Sequence, residues 1–205
     1  MISLKDILSE VGEGSAKPFS YNRKGNFSSF FKSLKTASTI DKYTKQKDFV
    51  YEVIGDKTRY LVKFACILRK KNPMILVLPG TKKPKPPKDK YEMEVSIGFN
   101  VKRARDEYET GFGEMYSLMA TVIETIKDFL KGVEDDIKIG SIHIYPKADF
   151  KGLDSDVDSK RGRIYLSYVK KNIGKLPGKW SAFQYNDRIE VRSGDWESND
   201  IIAKS

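Results

Sequence analysis

The chain has almost no cysteine or histidine. Cys66 is the one cysteine among 205 residues, which excludes an internal disulfide framework and any CxxC metal site and suits a reducing compartment. His143 is the one histidine, so histidine-built metal clusters and most hydrolase triads are excluded. Long apolar runs are missing too. The longest, Met74-Ile75-Leu76-Val77-Leu78, is far short of the ~20 residues that span a bilayer, so no membrane partner is expected. The start, Met1-Ile2-Ser3-Leu4-Lys5, lacks the apolar stretch of a secretory signal. There is no Gly-x-x-x-x-Gly-Lys-Ser/Thr phosphate loop, no Gly-x-Ser-x-Gly nucleophile elbow and no internal repeat.

What remains is an ordinary globular composition, 39% hydrophobic and 32% charged, at a length that fits one domain with a real core. The net charge of +10 is unevenly spread. Residues 1–90 hold 20 Lys/Arg against 8 Asp/Glu, whereas residues 91–205 hold 18 against 20. The excess concentrates at Arg69, Lys70 and Lys71 and at Lys82, Lys83, Lys85, Lys88 and Lys90. Such a run suits nucleic acid or another polyanion, or equally a solvated lysine-rich surface. Aromatic residues are not interleaved with it, which argues against base stacking.

Periodicity marks the elements. Residues 3–10 carry a short helix pattern behind Ser3, and residues 11–26 read as loop. Phe27, Phe30, Phe31 and Leu34 have helical spacing. Asp48–Ile54 and Thr58–Leu68 are β-rich runs around Gly55-Asp56 and predict a hairpin. The proline- and lysine-rich stretch 79–89 predicts an extended connection. Tyr91, Met93, Val95, Ile97 and Phe99 alternate with polar residues and predict a half-buried strand. Residues 114–131 predict the longest helix, with Gly132 at its end. A strand over 139–145, a helix over 159–172 and two short strands near 183–185 and 189–192 complete the order.

The acidic run Asp154-Ser155-Asp156-Val157-Asp158 has the start of a calcium loop but not its close. Ser159 stands at the turn glycine and Tyr165 at the bidentate glutamate, so an EF-hand is rejected. Cys66 sits between apolar neighbours and reads as a buried small residue. Glu92 and Glu94 lie on the polar side of their strand, able to deprotonate an amine through water or simply to be solvated.

The order hairpin, strand, helix, strand, helix, short strands resembles that of the GNAT acetyltransferase superfamily. The segment Tyr108-Glu109-Thr110-Gly111-Phe112-Gly113 is similar to the second half of its pyrophosphate motif, Arg/Gln-x-x-Gly-x-Gly/Ala. Glycines let the backbone approach, and a helix N-terminus attracts phosphate. Tyr108 replaces the motif's Arg or Gln, and Glu114 follows where an anion would sit. The stretch Arg161-Gly162-Arg163-Ile164-Tyr165 resembles the family's late helix, whose tyrosine protonates the leaving thiolate. The chain also resembles uncharacterised tailed-bacteriophage proteins across roughly residues 17–172. That likeness rests on Lys17-Pro18-Phe19, Tyr51-Glu52-Val53, Ala120-Thr121-Val122 and the Tyr165 helix.

The resemblance implies an α+β domain with a GNAT-like mixed, mainly antiparallel central sheet flanked by helices. Residues 48–192 form the core, 1–47 a helical and loop region of the same domain, and 193–205 a polar tail. Acetyl-CoA is the implied cofactor, cradled by Gly111, Phe112 and Gly113, with Tyr165 as acid and Glu92 or Glu94 as base. Such a cofactor site requires the strand ending near Val101 and the strand starting near Ile139 to splay apart. Two functions stay open. One is a degenerate, non-catalytic member that binds a virion or host protein, or nucleic acid through the basic N-terminal half. The other is an acyl-CoA-dependent N-acyltransferase. Either would act in the host cytoplasm or the virion.

Overall fold

The computed structural model describes residues 16–38, 46–56, 59–71, 90–102, 112–145, 160–185 and 188–194. In chain order the elements are β1 (Ser20–Arg23), α1 (Phe27–Ser38), β2 (Lys47–Ile54), β3 (Arg59–Lys71), β4 (Lys90–Lys102) and α2 (Phe112–Gly132). They continue with β5 (Ile137–Ile144), α3 (Lys160–Asn172), a 3₁₀ turn (Ile173–Lys175), β6 (Trp180–Tyr185) and β7 (Arg188–Ser193). The seven strands form one sheet in the order β1-β2-β3-β4-β5-β7-β6. Only β4 and β5 pair in parallel. A parallel pair needs a long crossover, and α2 supplies it. The fold is therefore α+β, with a mixed, mostly antiparallel sheet and, among the described residues, three α-helices.

Period-two alternation decides the two sheet faces. Phe49, Tyr51 and Val53 of β2 stand opposite Phe64, Val62 and Tyr60 of β3. Those in turn face Ile97, Phe99 and Val101 of β4. Val95 and Ile97 continue the rows to Ile142 and Ile144 of β5, and these to Val191 and Ile189 of β7. All three helices cover this apolar face. Phe27 of α1 stacks on Phe49 at 4.6 Å and Phe129 of α2 on Phe64 at 4.8 Å, while Tyr165 of α3 lies 6.0 Å from Phe99. Burying each such ring contributes roughly 1.5–3 kcal/mol. The other face carries the polar partners, and none of the described helices packs on it.

The helix α1 starts where expected because Asn26 accepts the Ser28 amide at 2.8 Å on its side-chain oxygen. It closes on Lys35, whose ammonium binds Glu134 and Asp136 before β5. Gly132, expected just past α2, is its last residue, and a Cβ there would fall 2.2 Å from the Phe27 ring. That close approach requires glycine. Cys66 is fully buried, and burial pushes its thiol pKa up.

One reading needs correction. Residues 20–23, expected as loop, form β1 and pair antiparallel with Ile54–Tyr51. Ser20-Tyr21-Asn22-Arg23 is short and mostly polar, with no apolar period to reveal it. It is a strand because β2 offers it an edge and Asp128 of α2 holds Arg23, with Nε 2.9 Å from Oδ2 and Nη2 3.0 Å from Oδ1. The expected helix at 3–10 and the connection at 79–89 lie outside the described residues.

Candidate functional site

The parallel β4–β5 junction is where the sequence-derived candidates should converge. The two strands are paired from Tyr91 opposite Ile137 to Ile97 opposite Ile144, with Gly140 bulged out of register between Ile139 and Ser141. The Tyr145 amide donates to the Ile97 carbonyl at 3.1 Å, so the strands stay together to this point. Beyond it β4 continues from Gly98 to Lys102, paired with β3. Any splay thus lies after Ile97.

Tyr165 is buried on the helical face, its ring against Phe99 in this extended end of β4. Glu92 and Glu94 occupy the opposite face, in register with Arg69 and Ile67. They also stand five to seven residues before Phe99, roughly 16–23 Å along the strand at ~3.3 Å per residue. Glu94 meets the Arg69 guanidinium at 3.3 Å. The structure therefore does not bring the expected acid and base together. Phe112 and Gly113 fall in the first turn of α2, and Gly111 lies outside the described residues.

Of the basic run, Arg69, Lys70 and Lys71 end β3, and Lys90 begins β4 opposite Lys71. Arg69 and Lys70 are exposed. Lys82, Lys83, Lys85 and Lys88 lie outside the described residues. A second basic group went unnoticed in the sequence because half-chain totals hide it. Residues 160–194 hold nine Lys/Arg against two Asp/Glu. Lys170 in the last turn of α3, Lys175 in the 3₁₀ turn and Lys179 directly before β6 are exposed. The 15 Asp/Glu between residues 91 and 159 offset this excess in the half-chain sum.

On the helix-free face His143 stands in register between Ser96 and Glu190. Its Nε2 is 3.8 Å from Glu190 Oε1, which also accepts from Arg192 Nε at 2.7 Å. Burial, and next the Arg188 charge, hold the His143 pKa below its ordinary value against the opposing pull of Glu190 and Glu94. With Glu190 buried and engaged by Arg192, the group is a charge network rather than a nucleophile-activating dyad. Among the described residues no cluster of three or more His, Cys, Asp or Glu could hold a metal, and no helix is long and apolar enough to cross a membrane.

Two segments that carry the phage resemblance meet in space. The Phe19 amide donates to Thr121 Oγ1 at 2.8 Å, and the Phe19 ring stacks on Tyr60 at 6.4 Å. Thr121 is fully buried and returns its own proton to the Ser117 carbonyl at 2.6 Å. These residues lock the N-terminal segment to α2, which is a packing role. No protein-family model, no curated protein and no solved structure matches the chain.

Proposed function

We propose that this chain has a GNAT-like fold of the tailed-phage type and uses it to bind a virion or host protein, not to transfer acyl groups. The element order supports the fold reading. The hairpin β2–β3, strand β4, helix α2, strand β5, helix α3 and strands β6–β7 follow the order of that superfamily. The one parallel pair falls between β4 and β5, the strands between which the family lodges its cofactor. The separation of Tyr165 from Glu92 and Glu94 carries the non-catalytic reading. An acid and a base on opposite faces of a sheet, with the strand between them, cannot serve one tetrahedral intermediate. Glu114 in the first turn of α2 works in the same direction, since a carboxylate there repels a pyrophosphate.

One observation favours acyl-CoA-dependent N-acyl transfer as the second reading. Tyr165 abuts the end of β4 that outruns β5, and Tyr116, whose ring lies 6.5 Å from that of Tyr168 in the Tyr165 helix, keeps a buried hydroxyl with no hydrogen-bond partner among the described residues. A bound thioester cofactor would supply the acyl group there, and Gly111, Phe112 and Gly113 would hold its pyrophosphate. A thermal-shift titration with acetyl-CoA and with CoA, up to millimolar, separates the readings. Ligand at 100 times its Kd stabilises the folded state by ~2.7 kcal/mol. The binding reading expects no shift. A saturable rise, together with turnover that Tyr165→Phe slows at unchanged cofactor affinity, overturns it in favour of the enzyme.

A further inference from the structure

Among the described residues the sheet ends in β1 on one side and β6 on the other, and these two edges are built differently. At one end β1 is four residues long, ends in Arg23 and runs into Lys24. Short, charged edges resist further pairing. At the other end β6 reads Trp180-Ser181-Ala182-Phe183-Gln184-Tyr185, six residues with no charge and no proline. Among the described residues β6 pairs with β7 alone. Phe183 is 51% exposed, and among the described residues Ile54 is the other large apolar side chain exposed to such a degree.

The backbone of β6 has a defined outer side. The Gly194 amide donates to the Lys179 carbonyl at 2.7 Å, continuing the β6–β7 register outward from Trp180 opposite Ser193. Antiparallel ladders alternate hydrogen-bonded and non-bonded pairs. Ser181, Phe183 and Tyr185 therefore point their amides and carbonyls at β7, and Trp180 and Ala182 point theirs away from it. The Pro177-Gly178 turn fixes where this edge begins. Gly178 adopts φ 95°, and the Trp180 indole donates to the Pro177 carbonyl at 2.7 Å.

Charge then distinguishes the occupants. Lys175, in the 3₁₀ turn that packs against β6, and Lys179, directly before Trp180, are exposed at the end of the edge where β6 starts. Arg192, opposite Ser181, is 43% exposed on the helix-free side while bound to Glu190. An antiparallel second copy would set these cations beside the uncharged far end of its own β6, Phe183-Gln184-Tyr185, so self-pairing along β6 offers them no carboxylate. An uncharged strand flanked at one end by cations is complementary to an extended segment that is apolar along its length and acidic at one end. We infer that the outer edge of β6 is a strand-addition site for an extended peptide with acidic residues at one end, held by main-chain hydrogen bonds to Trp180 and Ala182. Phe183 supplies the apolar contact and the lysines the register. This rests on the binding reading above and adds to it the surface and the chemistry of the partner.

The experiment uses the full chain and a fluorescein-labelled decapeptide of alternating valine and threonine with three terminal glutamates, followed by anisotropy. The same peptide N-methylated at alternate residues should bind at least ten-fold more weakly, because methylation removes the donors a strand needs. Replacing its glutamates with lysines should cost a similar factor. Lys175→Glu with Lys179→Glu, both exposed, should reverse that charge preference. Ala182→Pro, whose amide faces away from β7, should abolish binding with the circular-dichroism spectrum retained. Equal binding of the methylated peptide overturns strand addition and leaves simple charge attraction. Tighter binding of a 20-nucleotide single strand, with a steep salt dependence, overturns the peptide in favour of a nucleic-acid partner. The acetyl-CoA titration reads the other site, so failure here and failure of the non-catalytic reading produce different patterns.

Discussion

Replacing Asp128 with alanine tests whether α2 is what holds the first strand in the sheet. Asp128 receives two hydrogen bonds from Arg23, at 2.9 and 3.0 Å, and a third from the Tyr51 hydroxyl at 3.0 Å. Arg23 is half-exposed, so its ion pair contributes only about 0.2–1 kcal/mol. Tyr51 is fully buried, and its hydroxyl would be left without an acceptor, at a cost of about 1–3 kcal/mol. The variant should lose about 1–4 kcal/mol in urea unfolding at constant m, which for a chain of this size lowers Tm by roughly 2–15 °C. Tyr51→Phe alone removes the donor and leaves Arg23 paired, so it should cost less, about 1 kcal/mol. In the double variant the two effects should couple by about 1–2 kcal/mol. Hydrogen exchange read on residues 20–23 should accelerate in Asp128→Ala more than on β4. A loss below about 0.5 kcal/mol, or additive single variants, would refute the reasoning.

Two further perturbations follow from the packing and the charge network. Gly132→Ala gains helix propensity of about 1 kcal/mol but drives a methyl into Phe27, which is wedged among Phe31, Phe49 and Phe129. Overpacking of about 1–3 kcal/mol should win, giving a lower urea midpoint, and a raised midpoint would show that the ring yields. His143 has its pKa held below that of the unfolded chain by burial and Arg188, with Glu190 and Glu94 pulling the other way and Arg192 adding to Arg188. The unfolded state therefore binds the extra proton first, so this contribution is complete above pH ~6.5 and is lost as pH falls through the lowered folded value. Urea midpoints at pH 7 and pH 5 should differ less in His143→Gln than in the wild type. Equal differences would remove His143 from the pH dependence.

The sequence by itself determined the elements whose cause is local. Alternation along residues 91–99 and three-to-four spacing along 114–131 arise from burying one face, and a side chain's period does not depend on what covers it. Gly132 was legible as a helix end, though not as the hollow that admits Phe27. His143 and Cys66 were correctly read as a polar-face and a buried residue. The Glu190 and Arg188 that surround His143 lie far away in the chain. Only the tertiary structure could make a strand of residues 20–23, because their stability comes from β2 and Asp128 rather than from their own pattern. It also decided that Tyr165 and Glu92 or Glu94 sit on opposite sides of β4. In the sequence they are merely candidates of the right chemical type, and facing is a property of register. The same holds for the charge. Summed along the chain, residues 91–205 are nearly neutral, but register decides which charges meet, setting Glu190 of β7 opposite His143 of β5 with Arg192 as its partner, since Coulomb interactions depend on distance in space and not along the chain.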